Sequence, residues 1–165
     1  MKTLLLVRHA KSSWDDITQK DFDRPLNDRG KKDAPEMAQR VKEKGIEPDM
    51  IVSSPARRAK KTAALFAGEL NIDKNEILIV DGLYEPTLAA FETTVGNLPD
   101  KKDVVALFSH NPTITEYVNT LSNVRIDDMP TCGVFAVRAD TDSWAAFRDA
   151  EKKFLFFDYP KNPMG

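Results

Sequence analysis

The chain contains two histidines, His9 and His110, and each follows a short apolar run. Leu4-Leu5-Leu6-Val7 leads into Arg8-His9, and Val104-Val105-Ala106-Leu107-Phe108 leads into Ser109-His110. If both runs are buried parallel strands, both imidazoles emerge at strand carboxyl ends, the edge where open α/β sheets bind ligands. A third segment aims at the same edge. Ser53-Ser54-Pro55-Ala56-Arg57-Arg58 closes an apolar run and opens a helical stretch. A helix start offers unpaired N–H groups and a positive dipole end, both suited to an anion. Arg58 lies in that first turn, and a guanidinium can hold phosphate through two parallel hydrogen bonds. Three strand ends thus deliver Arg, His, Arg and His to one edge.

The elements that must position these residues are legible from periodicity. Apolar runs occur at 4–7, 50–52, 77–80, 104–108, 134–137 and 154–157. Most are continuous, as expected of strands buried on both faces. Helical patterns fall between them at 30–44, 55–70, 87–98 and 113–122. Ser54 reads as an N-cap with Pro55 at the first helical position, and Thr113 with Glu116 as a capping box. Pro35 requires the first helix either to begin near Ala34 or to bend. The alternation predicts an α/β fold, a three-layer αβα sandwich around a mostly parallel sheet of roughly six strands. One domain is expected over 1–165, with an irregular tail from Asp158 to Pro163.

Composition narrows the function. The 165 residues are 41% hydrophobic and carry a net charge of −2, without the basic excess of a general nucleic-acid or membrane-surface binder. Neither nucleic acid nor membrane is therefore an expected partner. Cys132 is the sole cysteine, so no internal disulfide and no Cys-rich zinc site can form. A lone thiol suits a reducing compartment, and the four apolar residues before Arg8 are too few for a signal-peptide core. The expected location is cytoplasmic.

Rival chemistries have weaker support. Neither histidine has an H-x-x-x-H partner, and Arg8 would repel a cation beside His9. Neither metal nor cofactor is expected. Cys132 and Arg138 are spaced C-x5-R, the pattern of a cysteine phosphatase loop. The intervening Gly133-Val134-Phe135-Ala136-Val137 reads instead as a strand, which would hold the two side chains apart. Nucleotide-binding glycine loops and a G-x-S-x-G elbow are absent from the sequence.

Taken together, the motifs resemble a known family. Leu6-Val7-Arg8-His9-Ala10-Lys11-Ser12 resembles the Arg-His-Gly signature of the histidine phosphatase superfamily, with Ala10 in place of its glycine. Ser54-Pro55-Ala56-Arg57-Arg58-Ala59-Lys60-Lys61-Thr62 resembles its S-x-x-x-R-A-x-x-T helix start, with Arg58 in the motif and Arg57 left as a rim charge. Leu26-Asn27-Asp28-Arg29-Gly30 resembles its L-T-x-x-G segment, with Asn27 as cap, and Ser109-His110 its second histidine. The fold implied is phosphoglycerate-mutase-like. The short chain and Asp23-Arg24-Pro25-Leu26 resemble most the SixA-type phosphohistidine phosphatases.

The resemblance implies roles. His9 is the nucleophile that becomes a phosphohistidine, and Arg8, Arg58, His110 and Arg24 stabilise the phosphoryl oxygens. A cationic His110 would do so best; the arginines oppose that protonation and bound phosphate favours it. Lys11 and Ser12 are expected beside the substrate. Trp14 and Phe22 either form its rim or pack on the sheet edge. Glu85, after the third strand, is either the leaving-group acid or an ordinary loop carboxylate. The substrate class implied is a phosphohistidine-bearing protein, with inorganic phosphate as product. The alternatives are a small phosphate ester with Glu85 as acid, and a non-catalytic phosphate-binding module.

Overall fold

Leu4, Leu5, Leu6 and Val7 are each no more than 1% exposed, so both faces of this strand must be covered. A computed structural model of the chain describes residues 1–163; the last two positions of the expected 1–165 span lie outside the described residues. All six apolar runs become strands: β1 (Lys2–Arg8), β2 (Met50–Ser53), β3 (Leu78–Ile79), β4 (Val104–Ser109), β5 (Val134–Ala139) and β6 (Lys152–Asp158). They form one sheet in the order β3-β2-β4-β1-β5-β6. β3, β2, β4 and β1 pair in parallel, whereas β5 runs antiparallel to both of its neighbours. β3 is a two-residue edge strand with Leu78 and Ile79 exposed, not the buried run its composition suggests.

Alternation along the strands divides the core. Leu5, Val7, Ile51, Ala106 and Phe108 face α1 (Asp28–Glu43) and α2 (Arg57–Glu69) through Met37, Val41 and Phe66. Leu4, Leu6, Val52, Val105 and Leu107 face α3 (Leu88–Gly96) and α4 (Thr113–Val118) through Phe91, Val95 and Tyr117. The crossovers explain the split. β1 to β2 and β2 to β3 step one way across the sheet and β3 to β4 steps back, so right-handed connections place their helices on opposite faces.

Several local expectations are corrected. α1 starts at Asp28, capped by the Asn27 side chain on the Gly30 N–H, and runs through Pro35 instead of beginning near Ala34. The bond lost at Pro35 falls opposite Lys31, an exposed residue that water can reach. α2 starts at Arg57, not Pro55; Ser54 Oγ accepts from the Ala56 N–H and is drawn to His110. Thr113 makes no capping box, because its hydroxyl donates to the Pro86 carbonyl. The tail after β6 is irregular yet anchored: the Arg40 guanidinium donates to the Tyr159 and Pro160 carbonyls.

The loop leaving β1 crosses the start of α1. The Asn27 N–H donates to the Lys11 carbonyl at 3.0 Å, and Ser12 bridges to Leu26. A Cβ on Gly30 would lie 2.2 Å from that carbonyl oxygen, so only glycine lets the chains approach. Gly30→Ala is expected to cost about 1–3 kcal/mol of stability, each kcal/mol lowering Tm by about 2–4 °C at this chain size. Thermal denaturation followed by circular dichroism checks it; an unchanged Tm would contradict the close approach.

Candidate active site

Parallel pairing sets the geometry. Arg8 on β1 stands in register with Ser109 on β4, so the next residues, His9 and His110, leave the sheet side by side. Their ring centroids are 5.1 Å apart. β2, on the far side of β4, delivers Ser54, whose Oγ lies 2.7 Å from His110 Nε2.

Hydrogen bonds define both rings. His9 Nδ1 is 2.8 Å from the Ala10 carbonyl. A carbonyl only accepts, so Nδ1 carries the hydrogen and Nε2 keeps its lone pair. Arg58 Nε donates toward that Nε2 at 3.4 Å. Ser54 Oγ accepts from the Ala56 N–H and lies 2.7 Å from His110 Nε2; with one hydrogen and a second lone pair its hydroxyl serves either neutral form of that ring. His110 Nδ1 is buried without a partner. Burial, followed by the charges around them, pushes the pKa of His9 and of His110 down to about 3. Arg58 and Arg8 reinforce the fall at both rings. Both are neutral near pH 7.

The arginines converge on the pair. Arg8 donates to the Met129 carbonyl at 2.8 Å and keeps a buried Nε without a partner. Arg24 donates through Nε to Asp21 at 3.2 Å, lies 3.5 Å over the Trp14 ring, and keeps an unpartnered NH1. Among the described residues four buried side-chain polar atoms lack a hydrogen-bond partner, and three of them are Arg8 Nε, Arg24 NH1 and His110 Nδ1. Arg8 Nε and Arg24 NH1 are donors, and unsatisfied buried donors are costly, so two of them in one site mark a place for an acceptor-rich anion.

Of the residues singled out from sequence, Arg8, His9, Arg24, Arg58 and His110 come together. Lys11 and Ser12 have contacts elsewhere as well: the Lys11 carbonyl accepts from the Asn27 N–H and Ser12 bridges to Leu26. The Ala10 N–H is tied to Thr62 Oγ1, and the chain then turns toward α1. The Lys11 side chain lines a separate cleft of about 290 Å³ with Arg29, Thr131 and Tyr159. Trp14 and Phe22 belong to the rim: they are 71% and 38% exposed, one stacked on Arg24 and the other edge-on to Tyr84. Arg57 is an exposed rim charge. Glu85 is exposed on the next loop, at φ 48°. Together with burial and the bond to Asp21, its charge pushes the Tyr84 hydroxyl up to about 12. The sequence reading missed Asp21 and the bonding roles of Ser54 and Tyr84. The one signal for Asp21 was an acidic residue three positions before Arg24.

Cys132 is no nucleophile. It is buried at φ 59° behind the end of β1, its N–H bonded to the Arg8 and His9 carbonyls. Burial, then the charge of Asp33, raises its thiol pKa. Arg138 is exposed on β5, bonded to Thr3. Among the described residues no group of three or more His, Cys, Asp or Glu is placed to hold a metal ion. No helix there is long and apolar enough to cross a membrane.

The sequence pattern of the histidine phosphatase superfamily (branch 1) matches residues 4–97, and the chain belongs to that superfamily. Its class of activity is that of a phosphatase. An uncharacterised chloroplastic protein of Arabidopsis thaliana is 29% identical over 154 residues, covering 87% of this chain and 69% of its own length. The same fold is seen in the candidate phosphohistidine phosphatase SixA of Agrobacterium tumefaciens, with a TM-score of 0.81, 24% identity and coverage of 96% and 98% of the two chains. It recurs in the protein histidine phosphatase SixA complexed with tungstate, also at 0.81, with 20% identity and coverage of 96% and 97%.

The depressed histidine pKa values have a measurable sign. Unfolded histidine takes up a proton below its ordinary 6.5, whereas the folded rings resist until about 3. The unfolded state therefore binds more protons in that window, and stability falls as pH drops from about 6.5 toward 3, by up to about 1.4 kcal/mol per pH unit per ring. NMR titration in phosphate-free buffer is expected to find both rings neutral at pH 5. A midpoint near 6.5 for either ring contradicts the assignment.

Proposed function

We propose that the chain is a metal-independent phosphatase that works through a covalent phosphohistidine on His9 and acts on phosphohistidine carried by a protein. The observation that carries this reading is a neutral His9 with its proton on Nδ1, set beside His110 in a site where Arg8 and Arg24 each keep a buried N–H without a partner. His9 Nε2 attacks phosphorus in line, and the bond to the leaving group breaks with its electron pair going to that group. Charge on the equatorial oxygens is met by Arg8 Nε, Arg24 NH1, the Arg58 Nε edge and His110. A water then attacks the phosphorus, releases inorganic phosphate and restores His9. The family and the names of the SixA structures that share the fold support this choice.

Leaving-group chemistry favours a nitrogen substrate. An alkoxide departs poorly unless an acid protonates it, whereas the imidazole of a phosphohistidine departs readily. Asp21, the carboxylate bonded to Arg58 and Arg24, is held ionised: burial pushes its pKa up, but the Tyr84 hydroxyl and Arg58 outweigh this and lower it. Glu85 is the remaining candidate acid. It would make the chain a phosphatase of a small phosphate ester, a reading favoured only by its position beside Tyr84, whose ring meets His110 edge-on. A non-catalytic phosphate-binding module would have no use for a nucleophile with a fixed tautomer.

The test is a radiolabelled phosphoryl donor followed by acid-labile, base-stable label on His9. His9→Ala is expected to lose on the order of 10³-fold or more in turnover. Glu85→Gln should leave phosphohistidine cleavage within about twofold of the parent, while the acid role predicts roughly a 10²-fold loss on an alkyl phosphate. Full activity of His9→Ala sinks the mechanism, and loss on both substrates in Glu85→Gln sinks the assignment of substrate.

A further inference from the structure

Asp21 opens a short 3-10 helix, Asp21–Asp23, and is bonded to three groups of the site at once. Its backbone carbonyl accepts from Arg58 NH1 at 2.7 Å, and Oδ2 accepts from Arg58 NH2 at 3.1 Å. Oδ1 accepts from Arg24 Nε at 3.2 Å, and Oδ2 also accepts from the Tyr84 hydroxyl at 2.7 Å. Each grip leaves a particular edge free. Held by NH1 and NH2, Arg58 turns its Nε–H toward His9 Nε2. Held by Nε, Arg24 leaves NH1 unpartnered. A guanidinium on a flexible stem has many orientations, and one residue here selects the useful one for both. The link to Tyr84, whose ring lies 5.7 Å from that of His110, ties the loop after β1 to the loop after β3.

We propose that Asp21 is the positioning residue of this site: it aims Arg58 and Arg24 at the phosphoryl group and offsets part of the positive charge that the arginines present to it. The proposal rests on the phosphohistidine mechanism above for its rate effect, but not for its effect on anion affinity. Without the carboxylate, Arg58 and Arg24 lose their ion-pair partner, and of the three guanidiniums only Arg8 keeps a nearby carboxylate, that of Asp128. Anions then bind more tightly, while the edges that match the transition state are no longer fixed. A residue that merely holds the loop together would on removal lose affinity and rate alike.

Asp21→Asn tests this with two readouts, the rate of His9 phosphorylation by rapid quench with 4-nitrophenyl phosphate and the binding of inorganic phosphate by calorimetry. The expected result is phosphorylation slower by about 10- to 100-fold, with phosphate bound about three- to tenfold more tightly. Asp21→Glu, which keeps the charge and moves it by one methylene, should slow phosphorylation and leave phosphate affinity within about twofold. An unchanged rate in Asp21→Asn, or weakened phosphate binding, overturns the proposal. Should Asp21→Asn fail to fold, Tyr84→Phe removes one bond to the same oxygen; a rate lower by about threefold supports the clamp and an unchanged rate overturns it. If the parent chain never phosphorylates His9, the proposed function fails, and the phosphate affinities still decide the role of Asp21.

Discussion

The site depends on keeping two imidazoles uncharged among three guanidiniums. Burial removes the water that would stabilise an imidazolium, and the arginines repel a further positive charge. Each cause alone favours the neutral ring; together they deliver a nucleophile with an unprotonated Nε2 at ordinary pH. The Ala10 carbonyl chooses which nitrogen stays unprotonated. Fold, tautomer and charge therefore act on the same atom, His9 Nε2.

The sheet order makes this burial possible. β1 and β4 lie inside the sheet with helices on both faces, so residues just past their ends sit over a filled core instead of in solvent. The parallel register fixes the spacing of the two rings through the backbone pairing of the strands that carry them. β2 adds Ser54 and the start of α2, and so brings a hydroxyl and Arg58 to the same edge. Cys132 serves this arrangement from behind, its N–H bonded to the Arg8 and His9 carbonyls, which is why a residue that looked chemically suggestive is structural.

How much of this was legible in the sequence follows from the range of the interactions. The six strands and four helices are encoded by local periodicity, and each was found close to its run. Arg8, His9, Arg58 and His110 were legible because each sits at the end of an element, where topology alone aims it. Caps were less so: Ser54 and Thr113 have good capping chemistry, but tertiary partners, His110 and the Pro86 carbonyl, claimed their hydroxyls. Lys11 and Ser12 were less legible because the direction of a loop after the signature is set by where it docks, here Gly30 and Leu26. Asp21 was invisible because its meaning comes from Arg58 and Tyr84, 37 and 63 positions away.

The placement of carboxylates bears on which leaving groups such a site can serve. A general acid must hold its proton near neutral pH, which calls for burial away from cations. Asp21 has the opposite surroundings, two arginines and a phenol hydroxyl donating to it, and is fixed in its ionised form. Glu85 is exposed on the loop after β3. The charge that orients the arginines is thus obtained by giving up that of Asp21 as a proton donor. A site built this way handles best the substrates whose leaving group departs unaided, and phosphorylated imidazole is of that kind.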